Sequence, residues 1–148
     1  MKPTFFNKNF TGRRLARVLV MEILYRFDLL RENPDNIFSE IIDRENPPEE
    51  IKSFSKEILN GVLKNLEEID TLIRKKCKNW DIERIAPVDK ALMRMAIGEM
   101  MTVPDVPYKV SISEAVELAK IFSTEDSGKF VNGILDAVAK ELGFKEEG

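Results

Sequence analysis

From Arg13 to Leu142 the apolar residues recur at three- and four-residue spacing, and no segment sustains the strict alternation of a half-buried strand. A chain patterned this way buries its apolar side chains by packing helix on helix, so an all-α protein without a sheet is expected. In the first helical stretch, Arg13 to about Leu30, the residues Ala16, Leu19, Val20, Ile23, Phe27 and Leu30 share a face. Asn33-Pro34 breaks it, and Asp35 is expected to cap a short second helix carrying Ile37, Phe38, Ile41 and Ile42. Pro48 followed by Glu49 and Glu50 predicts a third helix, running to about Asn65, with Gly61 at a close helix crossing. Glu67 to Asn79 reads as continuing helix ending in Arg74, Lys75, Lys76 and Lys78.

Asp81 is placed to cap a short turn, and Ala86-Pro87 restarts the helix. There Leu92, Met95, Ala96 and Met100 form a core face, while Asp89, Lys90, Arg94 and Glu99 are the charged positions. The stretch from Pro104 to Leu142 reads as a turn, a helix, a polar loop and a last helix. Ser111 and Glu114 have the spacing of a reciprocal capping box, which predicts a helix start at Ser111. The last helix carries Phe130, Val131, Ile134, Leu135 and Val138, with Asp126 as its expected cap.

Charge is distributed unevenly. Residues 1–17 hold Lys2, Lys8, Arg13, Arg14 and Arg17 and no acid, so a net charge of −3 leaves −8 on the other 131 residues. Residues 1–12, with Pro3, Asn7, Asn9 and Gly12, read as a flexible basic arm, and Thr11 as the cap of the first helix. Arg13, Arg14 and Arg17 cluster at a helix start, where cations oppose the macrodipole, and no acid precedes Glu22. That placement calls for an anionic partner.

The residues for most catalysis are missing. There is no histidine, the commonest general base and metal ligand. The single cysteine, Cys77, can form no internal disulfide and reads as a cytosolic thiol, structural rather than reactive. No Gly-rich phosphate loop, CxxC pair, secretory signal or long apolar span is present. A cytoplasmic binding module with no cofactor or metal is expected, rather than an enzyme.

Two blocks, PYKVSISEAVELAK from Pro107 and EDSGKFVNGILD from Glu125, resemble the C-terminal signature of the NusB family of bacterial transcription antitermination factors. Weaker similarity runs back through APVDKALMRMAIGEM to RRLARVLVMEILY. The resemblance implies about seven helices in two packed three-helix-type bundles. With the break near Trp80, residues 13–79 and 80–148 form N- and C-terminal subdomains of one domain. It further implies binding of boxA RNA together with the small-subunit ribosomal protein that doubles as NusE, and action with NusA and NusG on RNA polymerase.

By the same resemblance the RNA-binding residues are Arg13, Arg14 and Arg17, and then Asp126, Ser127, Lys129, Phe130 and Asn132. Single strands need cations for phosphates and flat side chains for unstacked bases. The ribosomal protein is expected on the helix from Pro87, at Asp89 above all, with Glu83 and Arg94. Two competitors are weaker. A helix-turn-helix DNA binder needs a basic recognition helix, and the helices beyond the first are balanced or acidic. NusB-like domains also occur fused ahead of RNA cytosine methyltransferase domains, for which 148 residues leave no room.

Overall fold

The structure, a computed structural model, describes residues 10–77 and 82–145. Most of the expected basic arm, with Lys2 and Lys8, and the junction residues Lys78, Trp80 and Asp81 lie outside the described residues. Seven α-helices account for most of the rest: α1 Gly12–Leu30, α2 Pro34–Glu45, α3 Glu49–Lys64, α4 Leu66–Lys76, α5 Pro87–Thr102, α6 Tyr108–Phe122 and α7 Glu125–Glu141. A 3-10 turn, Ile82–Arg84, precedes α5. There is no strand among the described residues. No helix among them is long and apolar enough to cross a membrane.

Helix α5 lies at the centre. It packs against α1, α3, α6 and α7, with α4 touching both α5 and α7. Every residue from Asp89 to Met100 is buried. The periodicity suggested one core face, but α5 is enclosed all round, so its charged positions must find partners inside. Arg94 donates to Asp70 through two bonds of 2.9 Å and to Asp28 at 3.1 Å, and Lys90 pairs with Asp28 at 2.9 Å. These bonds tie α5 to α1 and α4.

Gly61 and Gly98 allow α3 and α5 to approach closely, as expected for Gly61. A Cβ on Gly98 would stand 2.4 Å from Val62 Cγ2, and one on Gly61 would stand 2.3 Å from Thr102 Oγ1. In α1, Ala16, Leu19, Val20 and Ile23 are buried as the spacing predicts, whereas Leu30 at the helix end is exposed.

Several helix starts differ from the expected ones. Asn33, not Asp35, caps α2: its side-chain oxygen accepts from the Asp35 and Asn36 N–H groups at 2.9 and 3.4 Å. Asn65 separates α3 from α4, its side-chain amide donating to the Gly61 carbonyl at 2.9 Å. Helix α6 opens at Tyr108, a turn earlier than a Ser111–Glu114 capping box requires, because the Pro107 carbonyl already accepts from the Val110 and Ser111 N–H groups. Ser111 is inside the helix, buried, and donates to Glu99 at 2.9 Å. Thr124 caps α7 by accepting from the Ser127 N–H at 3.0 Å, and Asp126 stands in the first turn, where a negative charge favours the dipole.

Candidate nucleic-acid interface

The three arginines at the start of α1 sit together, but they are not alike. Arg13 is half-exposed, at 51%; its guanidinium reaches Asp105 at 3.4 Å and lies 4.3 Å over the Phe54 ring. Arg14 donates through Nε and Nη2 to the two oxygens of Glu114 at 3.1 and 2.6 Å. Arg17 is 4% exposed and donates to both oxygens of the wholly buried Glu99 at 3.0 and 2.6 Å. Its third contact is Glu114 at 3.3 Å. The Arg14 hydrogen bond, reinforced by both guanidinium charges, holds the Glu114 carboxyl below its usual value. The repulsion inferred at this helix start is therefore relieved from within, by acids on α5, on α6 and in the turn between them. Only Arg13 and Arg14 present charge to solvent, and Arg17 is an internal tie.

The second group of expected residues gathers at the start of α7. A groove of about 360 Å³ is lined by Arg84, Ile85, Ala86, Asp89, Thr124, Asp126, Ser127 and Phe130. Phe130 is half-buried and packs on the core, leaving part of its ring toward this groove. Asp126 is exposed. Ser127 shares a 2.8 Å hydrogen bond with the Ser123 hydroxyl. Lys129 and Asn132 are exposed as well, but Asn132 lines a different groove, with Lys109, Ser113 and Asp136 between α6 and α7.

The residues expected to meet a protein partner are divided too. Asp89 is 5% exposed, and burial pushes its carboxyl above the usual aspartate value, with the Ser127 and Ser123 hydroxyls opposing that shift. Its Oδ1 has no hydrogen-bond partner among the described residues. Arg94 is buried and occupied by Asp70 and Asp28, so its guanidinium is turned inward rather than toward a partner. Glu83, on the 3-10 turn, does carry its charge at the surface. Asp89 lines the groove that holds Asp126 and Phe130, so residues expected to read RNA and to meet protein share one concavity.

Sequence reasoning missed Glu99 and Glu114 because their arginines stand 82 and 100 positions away. One signal was available: Glu99 sits among Met95, Ala96, Ile97 and Met100, a setting in which an acid needs a buried partner. Cys77 is buried, and desolvation raises its thiol pKa, as an inert core thiol requires.

Comparison with known proteins points the same way. The sequence model of the NusB family matches residues 14–140. The transcription antitermination protein NusB of Chloroherpeton thalassium is 46% identical over 140 residues, covering 90% of this chain and 64% of that longer protein. The protein of the same name from Carboxydothermus hydrogenoformans is 41% identical over 136 residues, covering 88% of this chain and 94% of its own. Among solved structures, T. maritima NusB superposes with a TM-score of 0.82 at 39% identity, over 88% of this chain and 92% of that one. A chain from the crystal structure of the antitermination factors NusB and NusE in complex with double-stranded RNA gives 0.80 at 30% identity, over 87% and 96%. With helices, signature blocks and overall similarity in agreement over nearly all its length, the chain belongs to the NusB family.

Proposed function

We propose that this protein is an RNA-binding transcription antitermination factor. It binds boxA-type RNA together with the NusE ribosomal protein and, with NusA and NusG, helps RNA polymerase resist termination in ribosomal RNA operons. The work is done by binding in the cytoplasm, with no catalytic step. The observation that carries the reading is the groove at the start of α7, where the half-buried Phe130 ring and the Asp126 carboxylate face the same space. An aromatic face beside a hydrogen-bond acceptor suits an unstacked base, whose ring stacks and whose amine donates. Arg13 and Arg14 take backbone phosphates, Lys129 adds a cation near Phe130, and Asn132 and Ser127 offer hydrogen bonds at the edge. Residues 13–79 and 80–148 serve as subdomains of one binding unit, to which residues 1–12 contribute Lys2 and Lys8 as further cations.

NusE docks on the face formed by the 3-10 turn and the start of α5. Glu83 offers the basic ribosomal protein a negative charge. Asp89 acts there by holding Ser123 and Ser127, and Arg94 by anchoring α5 to α1 and α4. The relatives' shared name and the neighbour solved with NusE and double-stranded RNA support this reading. The test is fluorescence anisotropy of a labelled single-stranded boxA RNA titrated with the full chain, alone and with purified NusE. Tighter binding with the ribosomal protein, and weaker binding to a scrambled RNA, is expected. Equal affinity for both RNAs under both conditions would overturn the assignment.

A further inference from the structure

The acids beneath the arginine cluster differ in exposure. Glu99 is wholly enclosed under Arg17, while Glu114 is 16% exposed and meets Arg14, whose side chain is 41% exposed. Glu114 grips Arg14 through the two-pronged geometry by which a guanidinium also takes two oxygens of a phosphodiester. We propose that Glu114 occupies a phosphate subsite: its carboxylate stands where an RNA phosphate binds Arg14, and RNA must displace it. The proposal rests on the RNA-binding reading above and adds that Glu114, without touching RNA, sets its affinity.

The two acids divide the labour by depth. A buried pair cannot open without leaving an unpaired charge in the core, so Glu99 keeps Arg17 in place. The Glu114–Arg14 pair is only partly buried, so it holds less firmly than an enclosed pair, feels more of the salt, and yields to a competing anion. Arg17 retains both Glu99 bonds when Glu114 swings away, and the helix start stays intact. Glu117, further along α6, also attracts Arg14 by its charge but makes no hydrogen bond to it among the described residues. Removing the Glu114 charge should therefore free Arg14 for phosphate and leave the rest of the cluster seated.

The experiment is a double-mutant cycle on the full chain. Binding of a single-stranded boxA RNA is measured across a range of salt for wild type, Glu114→Gln, Arg14→Ala and the double variant, with melting temperature recorded for each. Glu114→Gln should tighten binding about fivefold, the equivalent of ~1 kcal/mol for a partly exposed pair. The slope of log affinity against log salt should change little, because RNA makes the same Arg14 phosphate contact in both proteins. In the Arg14→Ala background the same change should leave affinity unaltered. If Glu114→Gln tightens binding equally in that background, the effect is bulk electrostatics and the subsite is wrong.

A second measurement uses the wild type, so it does not depend on the variants folding. Saturating RNA should move the Arg14 Nε resonance away from its carboxylate-bound position and leave Arg17 Nε unchanged. An unmoved Arg14 resonance at saturation overturns the displacement. Wild type that binds no RNA at all would sink the functional reading together with this one, whereas RNA binding weakened by Arg13→Ala but indifferent to Glu114→Gln sinks this proposal alone.

Discussion

Arg13 and Arg17 stand one helical turn apart, and substituting alanine should affect them in opposite ways. Arg17 is enclosed with Glu99, the two joined by bonds of 3.0 and 2.6 Å. Arg17→Ala strands Glu99 in the core with the Ser111 hydroxyl as its remaining partner among the described residues. Breaking one side of such a pair costs about 3–5 kcal/mol. That is a large share of the ~5–15 kcal/mol by which a domain of this kind is stable. Arg13→Ala removes only a 3.4 Å exposed ion pair and a cation–π contact with Phe54, together about 1 kcal/mol or less.

On RNA the order reverses. Arg13→Ala should flatten the salt slope by about 0.7, while the folded fraction of Arg17→Ala should bind with a nearly unchanged slope. A third variant isolates the cause. Replacing the pair with hydrophobic residues of similar volume, Arg17→Met with Glu99→Leu, should recover most of the lost stability, because neither charge is then stranded. Urea denaturation followed by helical circular dichroism measures all three. A loss below about 1 kcal/mol in Arg17→Ala would refute the reasoning. So would a double variant no more stable than Arg17→Ala.

Gly98→Ala places a Cβ 2.4 Å from Val62 Cγ2 and 3.1 Å from the Val62 backbone nitrogen, so α3 and α5 must separate. The overpacking cost of about 1–3 kcal/mol exceeds the ~1 kcal/mol of helix propensity gained, and a lowered melting temperature is expected. Phe130→Ala should weaken RNA binding by about 1–3 kcal/mol and cost less stability than the ~3–5 kcal/mol of a fully buried ring; near-wild-type RNA affinity would remove Phe130 from the interface. Glu114 titrates lower in the folded chain than its ordinary value of 4.5, chiefly through Arg14, so its stabilisation is complete above that pH and fades as pH falls through the folded value. The stability gap between wild type and Glu114→Gln should therefore be widest near neutrality and close on the acid side, as urea titrations at several pH values would show.

How far this molecule was legible in its sequence depends on whether local signals decide the outcome. The helices were legible because spacing and prolines act within a few residues: Asn33-Pro34, Pro48 and Ala86-Pro87 each mark a boundary that the structure keeps. The caps were less so. At α2 and α7, Asn33 and Thr124 competed with Asp35 and Asp126 nearby, and the residue that the chain direction brings over the free N–H groups took the role. The partners of the arginines were barely legible: the apolar setting of Glu99 called for a buried partner without naming it. Glu99 and Glu114 reach them only through tertiary packing, and periodicity does not say that α5 is covered on every side. The signature residues Asp126, Ser127 and Phe130 do converge, but Asn132, two positions beyond Phe130, turns toward another groove because successive helical residues diverge by about 100°.

The burial of α5 bears on how the two halves of the proposed RNA surface are related. Asp89, in its first turn, lines the groove that holds Phe130, and Glu99, in its last third, seats Arg17 beneath the arginine cluster. Ten residues of helix separate them, about 15 Å along the axis. Because α5 is enclosed by α1, α3, α6 and α7, that distance cannot change without opening the core. Its own charges reinforce this, since Arg94 is tied to Asp28 and Asp70 between the two points. A ligand that met a flexible surface would have to order it on binding. Here the cations and the aromatic groove are held at a set spacing before RNA arrives, and the ordering that remains falls on the RNA and on the Glu114 side chain.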